Sequence, residues 1–179
     1  MRYIYSIIGA IILLISGTQS AFAQKETTIT RTILGCTLGT STLDSVTIRL
    51  QELGAEFEPT NPTTPRAAGL LVTGGVTFAS ARPRILFIFI DKKLALINII
   101  FLTKDDADRI NRNLSLKYKN WEDTTTYKEE GGGVQDPRTF LLHTYTFAED
   151  YKKDFQYSTL SYGDKTLLSK SAKIASEEL

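Results

Sequence analysis

The side chains with the widest chemical reach are few in this chain. His143 is the only imidazole and Cys36 the only thiol among 179 residues. An acyl-transfer triad would need His143 beside a hydroxyl such as Ser158 or Ser161, with a carboxylate behind it. No G-x-S-x-G elbow surrounds either serine. Cys36 with His143 would make a thiol–imidazole pair, but no cysteine-protease signature surrounds Cys36. The expectation is a hydrogen-bonded structural His143 and a small, buried Cys36. A single cysteine excludes an internal disulfide framework and a zinc site of several thiolates.

Asp105, Asp106 and Asp108 invite a calcium reading, continued by Asn111 and Asn113. A calcium loop needs alternating oxygen ligands, a central glycine and a later glutamate. These acids instead suit the first turn of a helix, where the dipole favours negative charge. Gly131-Gly132-Gly133 lacks the Gly-Lys-Ser/Thr that opens the helix of a phosphate loop, and Val134-Gln135-Asp136-Pro137 reads as a turn. Gly74-Gly75 suggests a bulge or bend in a strand. Glu122-Asp123, Glu129-Glu130 and Glu149-Asp150 lie at element ends; whether two carboxylates serve hydrolysis depends on their separation in space. Tyr145, Tyr157 and Tyr162 fit ordinary sheet packing, with a recognition surface as the alternative. No catalytic, cofactor-binding or metal-ligating residue is assigned, and no cofactor is implied.

These residues sit on a chain that starts with an address. Arg2 precedes an apolar run over residues 7–16, and Ala21-Phe22-Ala23 is a small-x-small cleavage site. Residues 1–23 therefore read as a signal peptide removed after Ala23, the run being shorter than the roughly 20 residues that span a bilayer. Ile33-Leu34-Gly35-Cys36 has the composition of a lipobox, but polar residues 24–32 separate it from the apolar run. Lys and Arg number 21 and Asp and Glu 20. Loss of Arg2 with the leader brings the two signs level, so no steering toward nucleic acid or acidic lipid is implied.

Residues 24–179 read as a single α+β domain, an antiparallel sheet with packed helices. A helix opens at Thr40-Ser41-Thr42, with Ser41 and Asp44 spaced nearly as a capping box. Leu43, Val46, Leu50 and Leu53 stripe it, and Gly54 ends it. Three prolines make 58–66 a loop. Strands are expected at 70–78, 85–90 and 94–102, the last two apolar at nearly every position except Asn98. Such strands are covered on both faces, or one face is an interaction surface. A second helix starts after Thr103, striped by Ala107, Ile110, Leu114 and Tyr118, with Trp121 packed at its end. Strands at 140–147 and 155–162 follow, then a terminal helix over 164–179 contacting through Leu168, Ala172 and Leu179.

Gly74-Gly75-Val76 lines up with Gly132-Gly133-Val134, and Pro83-Arg84 with Pro137-Arg138. A duplicated αβββ unit, with halves 33–103 and 104–179, is therefore one arrangement of the domain.

The stretch from Leu34-Gly35 through Thr42-Leu43-Asp44-Ser45-Val46 to Leu53-Gly54 resembles the opening helix of the β-lactamase-inhibitor-protein-like and SmpA/OmlA-like small envelope proteins. That resemblance implies helices packed on an antiparallel sheet, carried in the inhibitor proteins as a tandem repeat. It carries over no functional residue. The leader, the doubly apolar strands and the absence of a catalytic motif point to a secreted or periplasmic non-catalytic binding protein. It would act through its sheet on a protein or envelope component, with no membrane span after cleavage. A carrier of a small apolar ligand, a carboxylate-based hydrolase and a homodimer joined through the first-half sheet are the alternatives.

Overall fold

The computed structural model describes residues 28–62, 66–118, 120–125, 130–148 and 154–177. The expected leader, Glu129, Glu149, Asp150 and Leu179 lie outside the described residues.

Helix α1 (Leu43–Glu52) is capped by Thr42. Its hydroxyl accepts from the Ser45 amide, and the Ser45 hydroxyl accepts from the Thr42 amide. The box lies one residue beyond the expected one because the Ser41 hydroxyl is already taken by the Thr37 amide. Val46 and Leu50 are fully buried. The chain leaves the helix at Gly54, whose φ of +67° few other residues adopt cheaply. Helix α2 (Lys104–Lys117) is capped by Thr103, and its expected stripe, Ala107, Ile110, Leu114 and Tyr118, is buried.

Each of these helices precedes four antiparallel strands. After α1 come β3 (Glu56–Thr60), β4 (Ala67–Gly74), β5 (Arg84–Ile90) and β6 (Lys93–Phe101). After α2 come β7 (Glu122–Thr125), β8 (Glu130–Gln135), β9 (Thr139–Phe147) and β10 (Phe155–Asp164). They form one eight-stranded sheet, ordered β3-β4-β5-β6-β10-β9-β8-β7. The order is symmetric about the central β6–β10 pair, each half being a meander that runs from the edge to the centre. The paired motifs fall on equivalent strands. Gly74 ends β4 while Gly132-Gly133-Val134 lies in β8, and Pro83 and Pro137 lead into β5 and β9. The unit is thus αββββ, not αβββ. The unexpected strands are the edges: β3 crosses the start of the supposed 58–66 loop, and Pro59 is tolerated because an edge strand has a neighbour on one side alone. A register shift at Glu56/Phe57, opposite Gly74, is the bulge that Gly74-Gly75 suggested.

Ahead of α1, β1 (Thr32–Ile33) and β2 (Cys36–Thr37) close a hairpin on Leu34 and Gly35. The lipobox-like tetrad is this hairpin, with Ile33 and Cys36 in the core. It is tied to β6 by hydrogen bonds from the Gly39 amide to the Leu94 carbonyl and from the Leu94 amide to the Ser41 carbonyl.

The inner face of the sheet packs under α1 and α2. Phe87, Phe89, Ile97, Ile99, Leu141 and Leu160 are its fully buried centre. The terminal helix α3 (Lys165–Glu177) packs on the outer face, against β5, β6 and β10. It covers one end of that face, where Ile88, Leu96 and Phe140 cluster with Leu168. This second layer is why β5 and β6 read as apolar throughout. No described helix is long and apolar enough to cross a membrane.

Candidate functional site

The inner face of the second half holds the polar groups with chemistry in them. His143 stands on β9, Ser158 on β10 and Asn111 on α2. Asn111 lies four residues after Ala107 and three before Leu114, so α2 turns it toward the sheet. His143 Nε2 lies 3.1 Å from Ser158 Oγ and Nδ1 lies 3.3 Å from Asn111 Oδ1. With the amide oxygen accepting, Nδ1 carries the proton and Nε2 accepts from the serine. Phe101 meets the ring edge-on at 6.4 Å and Tyr145 lies 4.9 Å away. The Tyr145 hydroxyl donates to Asp108 Oδ1 at 3.1 Å, and Asp108 is paired with Lys104. Burial pulls the pKa of His143 down to about 4, against the opposing charge of Asp108. The imidazole is neutral at pH 7.

Serine, imidazole and orienting group follow the order of an acyl-transfer triad. The arrangement nonetheless lacks what the reaction needs. Ser158 and His143 are both 0% exposed, so no substrate carbonyl reaches Oγ, and the orienting group is an amide. What the three do is satisfy one another's polarity between helix and sheet. Ser161 faces the opposite side of the sheet, paired with Asn98. Asn111, which sequence reasoning placed with the acids of α2, could have been found from its place in that helix's apolar stripe.

The remaining candidates resolve into structure. Cys36 is buried against the Leu34 carbonyl, and burial pushes its thiol pKa up while the Arg49 charge acts the other way. A thiol held protonated is a poor nucleophile. Asp106 accepts from Thr103 and Arg109, which hold its carboxyl below the usual range. Arg109 also reaches the Ala79 carbonyl. Among the described residues no group of acids, histidine and cysteine is arranged to hold a metal. Gly131-Gly132-Gly133 is part of strand β8, not a loop. A Cβ on Gly132 would run into the Trp121 indole, which lies over it. Glu122 and Asp123 are exposed on β7. Tyr145 and Tyr162 are buried, Tyr145 in a cluster with Phe147 and Phe155.

The outer face presents a second arrangement. Cross-strand pairing sets Leu71, Leu86, Asn98, Ser161 and Leu142 in one row over β4, β5, β6, β10 and β9. The next row toward the end away from α3 runs Arg84, Ile100, Thr159 and Thr144. Leu71, Leu86, Ile100 and Leu142 are half-buried. Asn98 and Ser161 form the polar middle of the row, on the central strand pair. Asn98 is 7% exposed, and its Oδ1 has no hydrogen-bond partner among the described residues. A buried acceptor left unpaired costs about 1–3 kcal/mol.

No family model, curated protein or solved structure matches the chain. The two arrangements therefore stand on their own geometry: a closed polar relay inside, and half-buried apolar side chains around the enclosed Asn98 and Ser161 outside.

Proposed function

We propose that this is a secreted or periplasmic binding protein without catalysis, which docks a protein or envelope component on the outer face of its sheet. The observation that carries this reading is the set of half-buried apolar side chains Leu71, Leu86, Ile100 and Leu142, set by strand pairing in adjacent rows of the outer face around the enclosed Asn98 and Ser161. Apolar surface around a few placed polar groups is how recognition surfaces are built. The enclosed state of Ser158 and His143 supports binding over turnover. The leader motif over residues 1–23 supports export, with cleavage after Ala23.

The test is site-specific photocrosslinking in the source cell. A photoreactive residue at Ile100 or Leu142 should trap one envelope component. The same probe at Ile48, exposed on α1 on the other side of the sheet, should not. Equal trapping from Ile48, or turnover of an envelope polymer by the purified protein, overturns the reading.

A further inference from the structure

The end of the outer face away from α3 carries charge as well as apolar side chains. There Arg84 of β5 pairs with Ile100 of β6, and the alternation of the two strands continues past their pairing. Ala81, Pro83 and Ile85 are buried while Arg82 and Arg84 are exposed. Ile99 and Phe101 are buried while Ile100 is half-buried and Leu102 is 53% exposed. Side chains two apart along an extended chain share a face. Ser158 pairs with Phe101 on the inner face, so Tyr157, half-buried, stands beside Leu102 on the outer one. Two arginines, two aliphatic side chains and a tyrosine thus project from one sheet face in adjacent rows.

Charge is level over the whole chain but not over this patch. Neither Arg82 nor Arg84 pairs with an acid among the described residues. Of the carboxylates that follow Leu102, Asp106 is taken by Arg109 and Asp108 by Lys104. Asp105 is exposed on α2, the helix that covers the other face. An unpaired guanidinium offers a planar fork that matches phosphate oxygens. Leucine and isoleucine gain by leaving water. A tyrosine suits the boundary between the two, its ring apolar and its hydroxyl wet. Two rows of one sheet face make a shallow surface, which fits a plane better than an inserted segment. A plane of phosphates over hydrocarbon is the surface of a bilayer with anionic headgroups.

We propose that this end of the outer face rests on an anionic lipid bilayer. Leu102 and Ile100 enter the boundary of the acyl layer, Tyr157 lies at headgroup level, and Arg82 and Arg84 pair with headgroup phosphates. This names the envelope component of the function proposed above and rests on that reading. The contact is reversible, because each arginine near such a surface contributes only about fivefold in partitioning.

The test is an environment-sensitive dye on Leu102→Cys in the purified full chain, Cys36 being buried and out of the dye's reach. Vesicles of phosphatidylglycerol and phosphatidylethanolamine should shift its emission to the blue. Vesicles of phosphatidylcholine alone should not, nor should the anionic vesicles when the dye sits on Ile48→Cys, across the sheet. Arg82→Gln with Arg84→Gln should raise the lipid needed for half the shift by about 25-fold, the product of the two charges. Added salt should act in the same direction. Arg82→Lys with Arg84→Lys keeps the charge and should restore most of the binding. An equal shift with neutral lipid, an equal shift at Ile48→Cys, or no effect of the paired glutamines overturns the lipid assignment. Crosslinking from Ile100 separates that failure from failure of the binding reading. A protein trapped there while the dye stays silent overturns lipid as the occupant and leaves the binding reading standing. Neither trap nor shift sinks both.

Discussion

The two halves share a topology and differ in what they hide. Six residues after Pro83 the inner face carries Phe89, and six residues after Pro137 it carries His143. Around Phe89 the first half is sealed by hydrocarbon: Phe87, Leu94, Ile97 and Leu50. Around His143 the second half is sealed by a relay of Ser158, Asn111 and, one step on, Tyr145 with Asp108. The same layer of helix on sheet thus tolerates two interiors. The dry one draws on area and packing. The wet one needs every partner present, because a half-satisfied network costs more than an apolar one. The wet half is therefore the one that feels pH.

The largest break should come in the dry half. Phe87→Ala empties a fully buried ring site and should cost about 3–5 kcal/mol in denaturant unfolding. A cost below that of Ser158→Ala would mean the first half is not the better packed.

Acid should break the wet half. The folded pKa of His143 is about 4 and the unfolded value 6.5. Between these the unfolded ring takes up a proton that the folded ring refuses. Stability is therefore whole above pH 6.5, falls as pH drops, and levels near pH 4, with a loss of about 3 kcal/mol. His143→Phe, which copies the first half, should flatten this fall. A slope that survives His143→Phe would assign it to other groups.

Ser158→Ala should cost about 1–3 kcal/mol, because His143 Nε2 then lacks its donor. Adding Asn111→Leu and His143→Phe to it should recover part of that loss, and failure to recover would show shape rather than polarity to be at fault. The smallest effect belongs to the helix caps. Thr42→Ala and Thr103→Ala should each cost about 1 kcal/mol, similar in both halves, as thermal unfolding would report.

What could be read in the sequence was what depends on near neighbours. Thr42 and Thr103 with their stripes place α1 and α2, and the charged turn at Asp91 places β5 and β6. What could not be read depends on distant chain. Pro59 argued for loop because the sheet edge that excuses it is built by β4. Val134-Gln135 read as part of a turn after three glycines, but both belong to β8, where the space over Gly132 is filled by the indole of Trp121, ahead of β7. The doubly apolar strands raised the right question, but the answer needed α3, whose sequence announces a helix and not the face it covers. For His143, the sequence left Ser158 and Ser161 as equal candidates, which only the strand register separates, while Asn111 was obscured by the aspartates before it.

Because the two halves meet at β6 and β10, both margins of the described sheet are first strands, β3 and β7. One margin carries exposed Glu56 and Glu58, the other exposed Glu122 and Asp123. Any two copies approaching margin to margin, in any of the three combinations, bring carboxylate toward carboxylate, and Pro59 has no N–H to offer an added strand. Growth of the sheet into a fibre is thus resisted by the way the two halves are joined.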